Sequence, residues 1–151
     1  MKIKLEISQQ EYPEVRQMLE NAGFEITEGD DADFIMHQSN LFLTHLPVRN
    51  RKGEKLHLPV EDIITLESFG HNIDINATGD VFQSSDSLKG IQELLDPKVF
   101  VRISNSVIIN RRHIKEIIPT FSMKFKVRMD NGSIVEVTRS YYHSFREFFN
   151  I

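Results

Sequence analysis

The chain has 151 residues, which is enough for one domain of ordinary size or for one domain with a small extension. Hydrophobic residues make up 40% and charged residues 26%, as in a globular protein, and the absence of cysteine excludes disulfides and thiolate chemistry. No apolar run approaches the ~18 residues that span a bilayer, and the charged start lacks the apolar core of a signal peptide. We therefore expect a cytoplasmic protein with no membrane insertion.

The charge is unevenly distributed along the chain, although the net charge is only −4. Residues 1–45 carry three basic and nine acidic residues, residues 46–97 carry five and nine, and residues 98–151 carry ten and four. A basic C-terminal third indicates a surface for a polyanion such as DNA. A solvated strand face rich in lysine and arginine would give the same count, so charge alone leaves both interpretations open.

The first 45 residues predict a small βαββ-like unit. Alternating apolar residues predict a strand over residues 3–7, and Pro13 suits the first turn of a helix that Gly23 ends. Two short strands are predicted next, over residues 24–26 and 34–36. A unit this short buries too little surface to be stable by itself, so we expect it to pack on the rest of the chain.

The remainder of the chain predicts short strands separated by turns. A strand over residues 41–46 and a loop containing Asn50, Lys52 and Gly53 are expected to precede the main domain. Apolar or alternating segments predict strands over residues 56–58, 63–66, 73–75, 81–82, 100–103, 107–109, 117–121, 124–129 and 134–137.

Two helices and one hairpin turn are predicted within these strands. Ser85 or Asp86 can cap a helix whose apolar face spans residues 88–95, and Pro97 ends it. The sequence Asp-Asn-Gly at residues 130–132 is a strong hairpin turn. Aromatic residues at helical spacing predict a last helix over residues 141–149. The fold class is therefore mainly β, and α+β overall.

One segment carries a family resemblance. Residues 100–110 read Phe-Val-Arg-Ile-Ser-Asn-Ser-Val-Ile-Ile-Asn, and His113 lies three residues later. This segment resembles the LytTR signature, which runs aromatic, any residue, Arg, two residues, a polar residue and Ser, then hydrophobic residues and Asn. Residues 60–68 resemble the opening strand of the family, and residues 130–141 its closing hairpin and arginine. From about residue 56 to the end, the sequence is identified as a member of the LytTR family.

The resemblance implies a fold and a function. The expected fold is an elongated stack of small β-sheets with short helices, over residues 46–151, preceded by the acidic βαββ-like unit of residues 1–45. The expected function is a sequence-specific transcriptional regulator that inserts loops into successive major grooves of double-stranded DNA. The alternative is a protein-interaction or ligand-sensing module that acts through the acidic N-terminal unit.

The resemblance also implies where DNA is contacted. The three expected places are the loop with His71 and Asn72, the polar pair Ser104 and Asn105 inside the signature, and Arg139 after the last strand. The loop after Ser68 is shorter than in many members, so the first of these positions could shift by one or two residues. Asn can pair with adenine and Arg with guanine in the major groove, each contributing roughly 1–3 kcal/mol of discrimination.

Further residues are expected to contact phosphates. Hydroxyl groups of Ser104, Ser106 and Ser140 can donate to phosphate oxygens, which fixes the register without reading sequence. Four cations are expected beside the loop inside the signature and should make binding salt-dependent. They are Arg102, Arg111, Arg112 and Lys115.

Structural alternatives exist for most of these residues. Asn105 could satisfy a turn, Arg102 could be an exposed or ion-paired strand residue, and Arg139 could cap the last helix or pair with an acid. His71 could be an ordinary loop histidine. Asn110, by contrast, is predicted to cap the turn into residues 111–113, and the aromatic residues of the last helix are predicted to form core or interface.

No enzyme, metal site or cofactor is expected. The six histidines show no HExxH or other metal spacing, and the sequence has no GxSxG, P-loop or GxGxxG motif. Asp30, Asp31 and Asp33 lack the pattern of a calcium loop and are expected to be a solvated loop.

The expected partners follow from the resemblance to family members that lack a phosphorylatable receiver domain. The first 45 residues are too few for a receiver, so control by an aspartyl phosphate is not expected in this chain. Sites of the family are typically paired direct repeats, which implies a homodimer at least on DNA. Some small members are encoded beside a small membrane protein, so a membrane-protein regulator is a further implied partner. The acidic unit is expected to supply dimerisation or control, or to shield the basic surface.

Overall fold

A computed structural model describes residues 1–38 and 42–151, and the chain divides after residue 41 into two compact units. This division falls four residues before the predicted one. Leu43 and Thr44 already belong to the second unit, because the Leu43 N–H donates to the Leu94 carbonyl and the Val60 N–H donates to the Thr44 carbonyl, each at 3.0 Å. None of the helices in the described residues is long and apolar enough to cross a membrane.

The first unit is the βαββ arrangement predicted from sequence. Its elements are β1 (Lys2–Glu6), α1 (Tyr12–Asn21), β2 (Glu25–Ile26) and β3 (Phe34–His37). The sheet has the order β2-β1-β3, and both neighbours run parallel to β1. Ile3 and Leu5 on β1 are buried, as their alternation predicted, and Pro13 lies in the first turn of α1.

The acidic loop of this unit is more than a solvated loop. Lys2 Nζ donates to Asp31 Oδ2 at 2.8 Å, and the Lys2 backbone N–H donates to Asp33 Oδ2, also at 2.8 Å. The hydrogen bond from Lys2 lowers the pKa of the Asp31 carboxyl below its ordinary value. These bonds tie the loop before β3 to the start of β1.

The second unit contains two antiparallel sheets. The larger sheet has seven strands in the order β5-β4-β8-β7-β6-β10-β9. These are β4 (His45–Arg49), β5 (Lys55–Pro59), β6 (Ile63–Phe69), β7 (Asn72–Ala77), β8 (Asp80–Ser84), β9 (Phe100–Arg102) and β10 (Val107–Asn110). The smaller sheet has the order β11-β12-β13, with β11 (Ile114–Thr120), β12 (Lys124–Met129) and β13 (Ile134–Val137). Helices α2 (Leu88–Leu94) and α3 (Tyr142–Phe149) complete the unit.

Two hydrophobic clusters lie on opposite faces of the central strands. On β10, Ile108 belongs to one cluster, with α2 and β7, while Val107 and Ile109 belong to the other, with β12, β13 and α3. All four residues of β10 are buried. The continuous apolar run of this strand is therefore the pattern of a strand covered on both faces. The mainly β fold with small sheets and short helices is confirmed.

Three local predictions differ from the structure. The segment with Asn50 and Gly53 is the turn of the β4–β5 hairpin, inside the domain and not before it. The predicted strand over residues 41–46 begins outside the described residues, and β4 starts only at His45. The cap of α2 is Ser87, whose Oγ accepts a hydrogen bond from the Gly90 N–H at 3.0 Å.

Candidate nucleic-acid interface

Three segments of the second unit meet at one end of the seven-stranded sheet, which we call the reading end. They are the β6–β7 turn, the β9–β10 loop and the 3-10 turn Arg139–Tyr141 that precedes α3. The first two are adjacent because the Ser68 N–H donates to the Ser106 carbonyl at 2.8 Å. The third joins them because the Thr138 N–H donates to the Ile103 carbonyl at 3.0 Å. The three predicted places of DNA contact thus lie on one surface.

The β6–β7 turn has two central residues, Gly70 and His71, because Phe69 pairs with Asn72. Gly70 has φ +57°, and a glycine with positive φ at the first central position is the pattern of a type II′ hairpin turn. His71 and Asn72 are exposed. Within the described chain, neither side chain makes a hydrogen bond or ion pair, so both are free to contact a ligand.

The β9–β10 loop, which we call the reading loop, is held in place by hydrogen bonds from the Arg102 side chain. Its Nε donates to the Ser104 carbonyl at 2.9 Å, and its Nη2 donates to the Asn105 carbonyl at 2.5 Å. Its Nη1 donates to Gln92 Oε1 on α2 at 2.9 Å. The guanidinium fork therefore fixes the main chain of the loop, and the alternative of an exposed strand residue does not hold.

Within the loop, Ser104 and Asn105 differ in exposure. Ser104 is buried, and its Oγ accepts a hydrogen bond from the Ser106 N–H at 3.2 Å, which stabilises the turn. Asn105 is exposed, and its Oδ1 accepts a hydrogen bond from the Tyr141 hydroxyl at 3.2 Å. This bond orients the amide of Asn105, whose Nδ2 has no partner within the described chain.

The 3-10 turn presents Arg139 and Ser140 to solvent. Neither side chain has a hydrogen bond or ion pair to any described residue, so the alternatives of a helix cap or an acidic partner do not hold for Arg139. The guanidinium of Arg139 is thus a cation without a partner among the described residues, on a fixed main chain, next to the Asn105 loop.

Arg111 and Arg112 lie at the other end of β10, and the expectation that they flank the reading loop was wrong. The Arg111 guanidinium lies 5.0 Å from the Phe148 ring centroid and 5.4 Å from that of Phe149. Its Nη1 donates to the Lys98 carbonyl at 3.4 Å. Arg111 therefore supports the end of α3, and contact of either arginine with DNA stays a prediction.

The structural role predicted for Asn110 is confirmed. Its Oδ1 accepts a hydrogen bond from the Arg112 N–H at 2.9 Å and caps the 3-10 turn Arg111–His113. Its Nδ2 donates to the Ile63 carbonyl at 2.9 Å, and the side chain is fully buried. One amide thus joins β10, β6 and the turn that leads to the smaller sheet.

Sequence reasoning missed the residues that position the loop. The sequence predicts Tyr141 to be a core or interface residue, but its hydroxyl donates to Asn105, and no role is predicted for Gln92, which accepts a hydrogen bond from Arg102. No sequence signal marks Gln92. Tyr141 lies two residues after Arg139, and this closeness to a predicted DNA-contacting residue could have indicated a role at the same surface.

The basic C-terminal third is partly neutralised by its own acids. Lys124 Nζ lies 3.2 Å from Glu136 Oε1, and Arg128 Nε lies 3.8 Å from Glu116 Oε2. These pairs lie on the smaller sheet. The solvated-face interpretation therefore accounts for part of the charge asymmetry.

Comparison with known proteins identifies the second unit. The LytTr DNA-binding domain family matches residues 53–150. The transcriptional regulatory protein LytR of Staphylococcus aureus (strain N315) is 31% identical over 94 residues, 62% of this chain and 38% of that protein. The sensory transduction protein LytT of Enterococcus faecalis (strain ATCC 700802 / V583) is 33% identical over 102 residues, 68% of this chain and 42% of that protein. The chain thus spans about two fifths of the length of these two relatives.

The fold agrees with this match. A solved LytTr DNA-binding domain from Bacillus cereus is 28% identical and superposes with a TM-score of 0.68, covering 72% of this chain and 99% of that one. The family is one of DNA-binding domains and not of enzymes. Because the match extends over residues 53–150, and the loop with the family signature lies within it, the chain belongs to the LytTR family.

Proposed function

We propose that the protein is a sequence-specific transcriptional regulator that reads successive major grooves of double-stranded DNA through its reading end. The observation that supports this most is that exposed Asn105 and Arg139, from separate segments, are held side by side through Tyr141 and Thr138. The similarity to LytR and LytT, which are named as regulatory and sensory transduction proteins, supports a role in regulation.

The side chains at the reading end suit distinct parts of DNA. Asn105 can donate Nδ2 to a base acceptor, and Arg139 can bind the O6 and N7 atoms of guanine with two parallel bonds. His71 and Asn72 supply a third contact from the neighbouring turn. Ser106 and Ser140 can donate to phosphates, which fixes the register of the protein on the duplex.

Arg102 and Ser104 act in this proposal by positioning. Both are committed to the main chain of the loop, so their effect on DNA binding passes through Asn105. Arg111 and Arg112 are left out of the reading surface because they lie at the far end of β10.

Two copies of the protein bind one site in this proposal, on paired direct repeats, and they act in the cytoplasm where the DNA is. Each copy contributes one reading end. Because phosphate contacts release counterions, the affinity falls as salt is raised.

The experiment is a fluorescence anisotropy titration against DNA from the protein's own upstream region, at two salt concentrations and with random DNA as competitor. Binding that resists the competitor and weakens with salt supports the proposal. Asn105→Ala and Arg139→Ala should each weaken specific binding by roughly 5- to 150-fold, which corresponds to about 1–3 kcal/mol.

The matched control is Arg112→Ala, which removes the same charge at the other end of β10. We expect it to weaken binding by much less than Arg139→Ala. Equal losses for the two arginines would place DNA contact beyond the reading end. Specific binding that survives the Asn105→Ala/Arg139→Ala double change in a folded protein would overturn the assignment of the surface.

A further inference from the structure

The open edge of β3 in the first unit carries a run of exposed apolar side chains. β3 is the outer strand of the sheet, and all four of its residues are exposed. Phe34 is 58% exposed, Ile35 52% and Met36 38%. Edge strands of this kind are ready to pair with another strand, and proteins usually protect them with a proline, a bulge or a lysine. β3 has none of these three, and only its length of four residues limits the extent of pairing.

The hydrogen-bonding groups of β3 are arranged for a second strand. The Asp33 N–H donates to the Lys2 carbonyl at 2.8 Å, toward the inside of the sheet. Because backbone groups alternate in direction along a strand, the N–H and C=O groups of Phe34 and Met36 face the open edge. The edge therefore offers two donors and two acceptors in register.

The sequence of this edge is complementary to itself. In an antiparallel pair of two β3 strands centred on Ile35, each Phe34 lies opposite Met36 of the other copy, and each Asp33 lies opposite His37. An aromatic ring and a thioether make a favourable contact, and an acid opposite an imidazole gives opposite charges when the imidazole is protonated. Within each copy the His37 Nδ1 lies 3.2 Å from Glu6 Oε2, which leaves Nε2 for the Asp33 carboxylate of the other copy.

We propose that two copies of this chain associate through antiparallel pairing of their β3 strands, which joins two three-stranded sheets into one of six strands. This association occurs without DNA and does not depend on the reading end. Because β3 has only four residues, we expect the pair to bury less than the ~1,200 Å² of a stable interface. We therefore expect a monomer–dimer equilibrium with a Kd on the order of 10–100 µM.

The geometry at the centre of the pair provides a direct test. With Phe34 and Met36 forming the hydrogen-bonded positions, Ile35 faces its own copy at a non-hydrogen-bonded position, where Cα atoms are about 4.5 Å apart. A disulfide accepts Cα separations of about 4.4–6.8 Å. The chain has no cysteine, so Ile35→Cys introduces a single thiol. On mild oxidation of the full chain, we expect this variant to form a covalent dimer.

Ile134 provides the matched control. It lies on β13, an outer strand of the smaller sheet, and is 54% exposed, close to the value of Ile35. Ile134→Cys under the same oxidation should stay mostly monomeric. In sedimentation equilibrium of the full chain, Ile35→Lys should raise the dimer Kd by roughly ten-fold or more, since two lysines then face each other, whereas Ile134→Lys should leave it unchanged.

Three results would overturn the proposal. They are a wild-type chain that stays monomeric at several hundred micromolar, equal cross-linking of the two cysteine variants, and an Ile35→Lys variant that dimerises as the wild type does. None of these outcomes bears on DNA binding, so they are distinct from a failure of the proposed function.

Discussion

Arg102 holds the reading loop by donating to two main-chain carbonyls, those of Ser104 and Asn105, and to Gln92. A lysine has the same charge but lacks the planar fork that these three bonds need. Arg102→Lys should therefore weaken specific DNA binding about as much as Arg102→Gln, while the dependence of affinity on salt changes little. Anisotropy titrations at several salt concentrations measure both quantities.

The alternative role for Arg102 gives the opposite result. If its charge bound a phosphate, Arg102→Lys would keep most of the affinity, and Arg102→Gln would lower the salt slope by about one. That pattern would return Arg102 to the DNA-contacting residues predicted from sequence.

Asn110 is a buried polar residue whose loss should destabilise the fold. Asn110→Ala leaves the buried Ile63 carbonyl and the partly buried Arg112 N–H without their partner, at a cost of about 2–4 kcal/mol in the free energy of unfolding. Denaturant titration measures this cost. Asn72→Ala is the control, because Asn72 is exposed and makes no side-chain bond within the described chain, and we expect a change within about 0.5 kcal/mol. Similar values for both variants would contradict the structural role of Asn110.

At this scale the sequence predicted some roles and not others. The cap by Asn110 could be predicted, because Asn before a short polar turn is a local pattern. The burial of Ser104 could not, since it depends on a bond to Ser106 within a folded loop. The predicted placement of Arg111 and Arg112 beside the loop was wrong, because residues that are close along the chain need not be close in space. The four-residue strand β10 separates them from the loop.

Helix α2 shows how a local choice among similar residues is decided by geometry. Ser85, Asp86 and Ser87 are all capable caps, but only Ser87 has extended backbone with its Oγ at 3.0 Å from the Gly90 N–H. Ser87→Ala should lower the free energy of unfolding by about 1 kcal/mol. Ser85→Ala removes a hydroxyl two residues earlier and should cost much less. A thermal or denaturant titration that ranks the two in the reverse order would refute the observed cap.

The elements themselves were largely predictable where periodicity was strong. Strand β12, with alternating buried and exposed residues, and the hairpin turn at residues 130–132 match the sequence pattern closely. Strand β4 was misplaced because Pro47 lies in its middle and a proline argues against a strand. The pairing of β4 with β5, which stabilises it, is set by the hairpin and not by the residues of β4 alone.

For the whole molecule, the separation of charge between the two units has a measurable consequence. Removing residues 1–41, which carry three basic and nine acidic residues, changes the net charge from −4 to +2. We expect the truncated chain to bind DNA several-fold more tightly at low salt, and the gain to shrink at high salt as the charges are screened. The truncation must stop at residue 41, since Leu43 and Thr44 bond within the second unit.

This measurement should use DNA with a single repeat, so that loss of β3 pairing between copies does not change the measured affinity for DNA. Circular dichroism of the truncated chain checks that it is folded. Unchanged affinity at low salt in a folded truncation would show that the acidic unit does not weaken DNA binding.

The fold class and the family were predictable from one sequence because three separated blocks kept their order and spacing. The open edge of β3 was not, because residues 34–36 read only as a short apolar strand, and its place at the outside of the sheet depends on how three strands are ordered. The shared surface of Asn105 and Arg139 could not be predicted either, because it depends on the hydrogen bond from the Thr138 N–H to the Ile103 carbonyl.

Strand β10 lies between β6 and β9 and is buried on both faces. We expect this position to slow the exchange of its amide hydrogens with solvent. Amide hydrogens in such a strand exchange with solvent mainly through opening of the whole unit, whereas those at the open edge of β3 need only local motion. The reading loop leads directly into β10, so its base is attached to a buried strand whose amide hydrogens we expect to exchange slowly. In the proposed complex with DNA, a loop whose base is fixed in this way should lose little conformational entropy on binding, so that less of the binding free energy is used to order it.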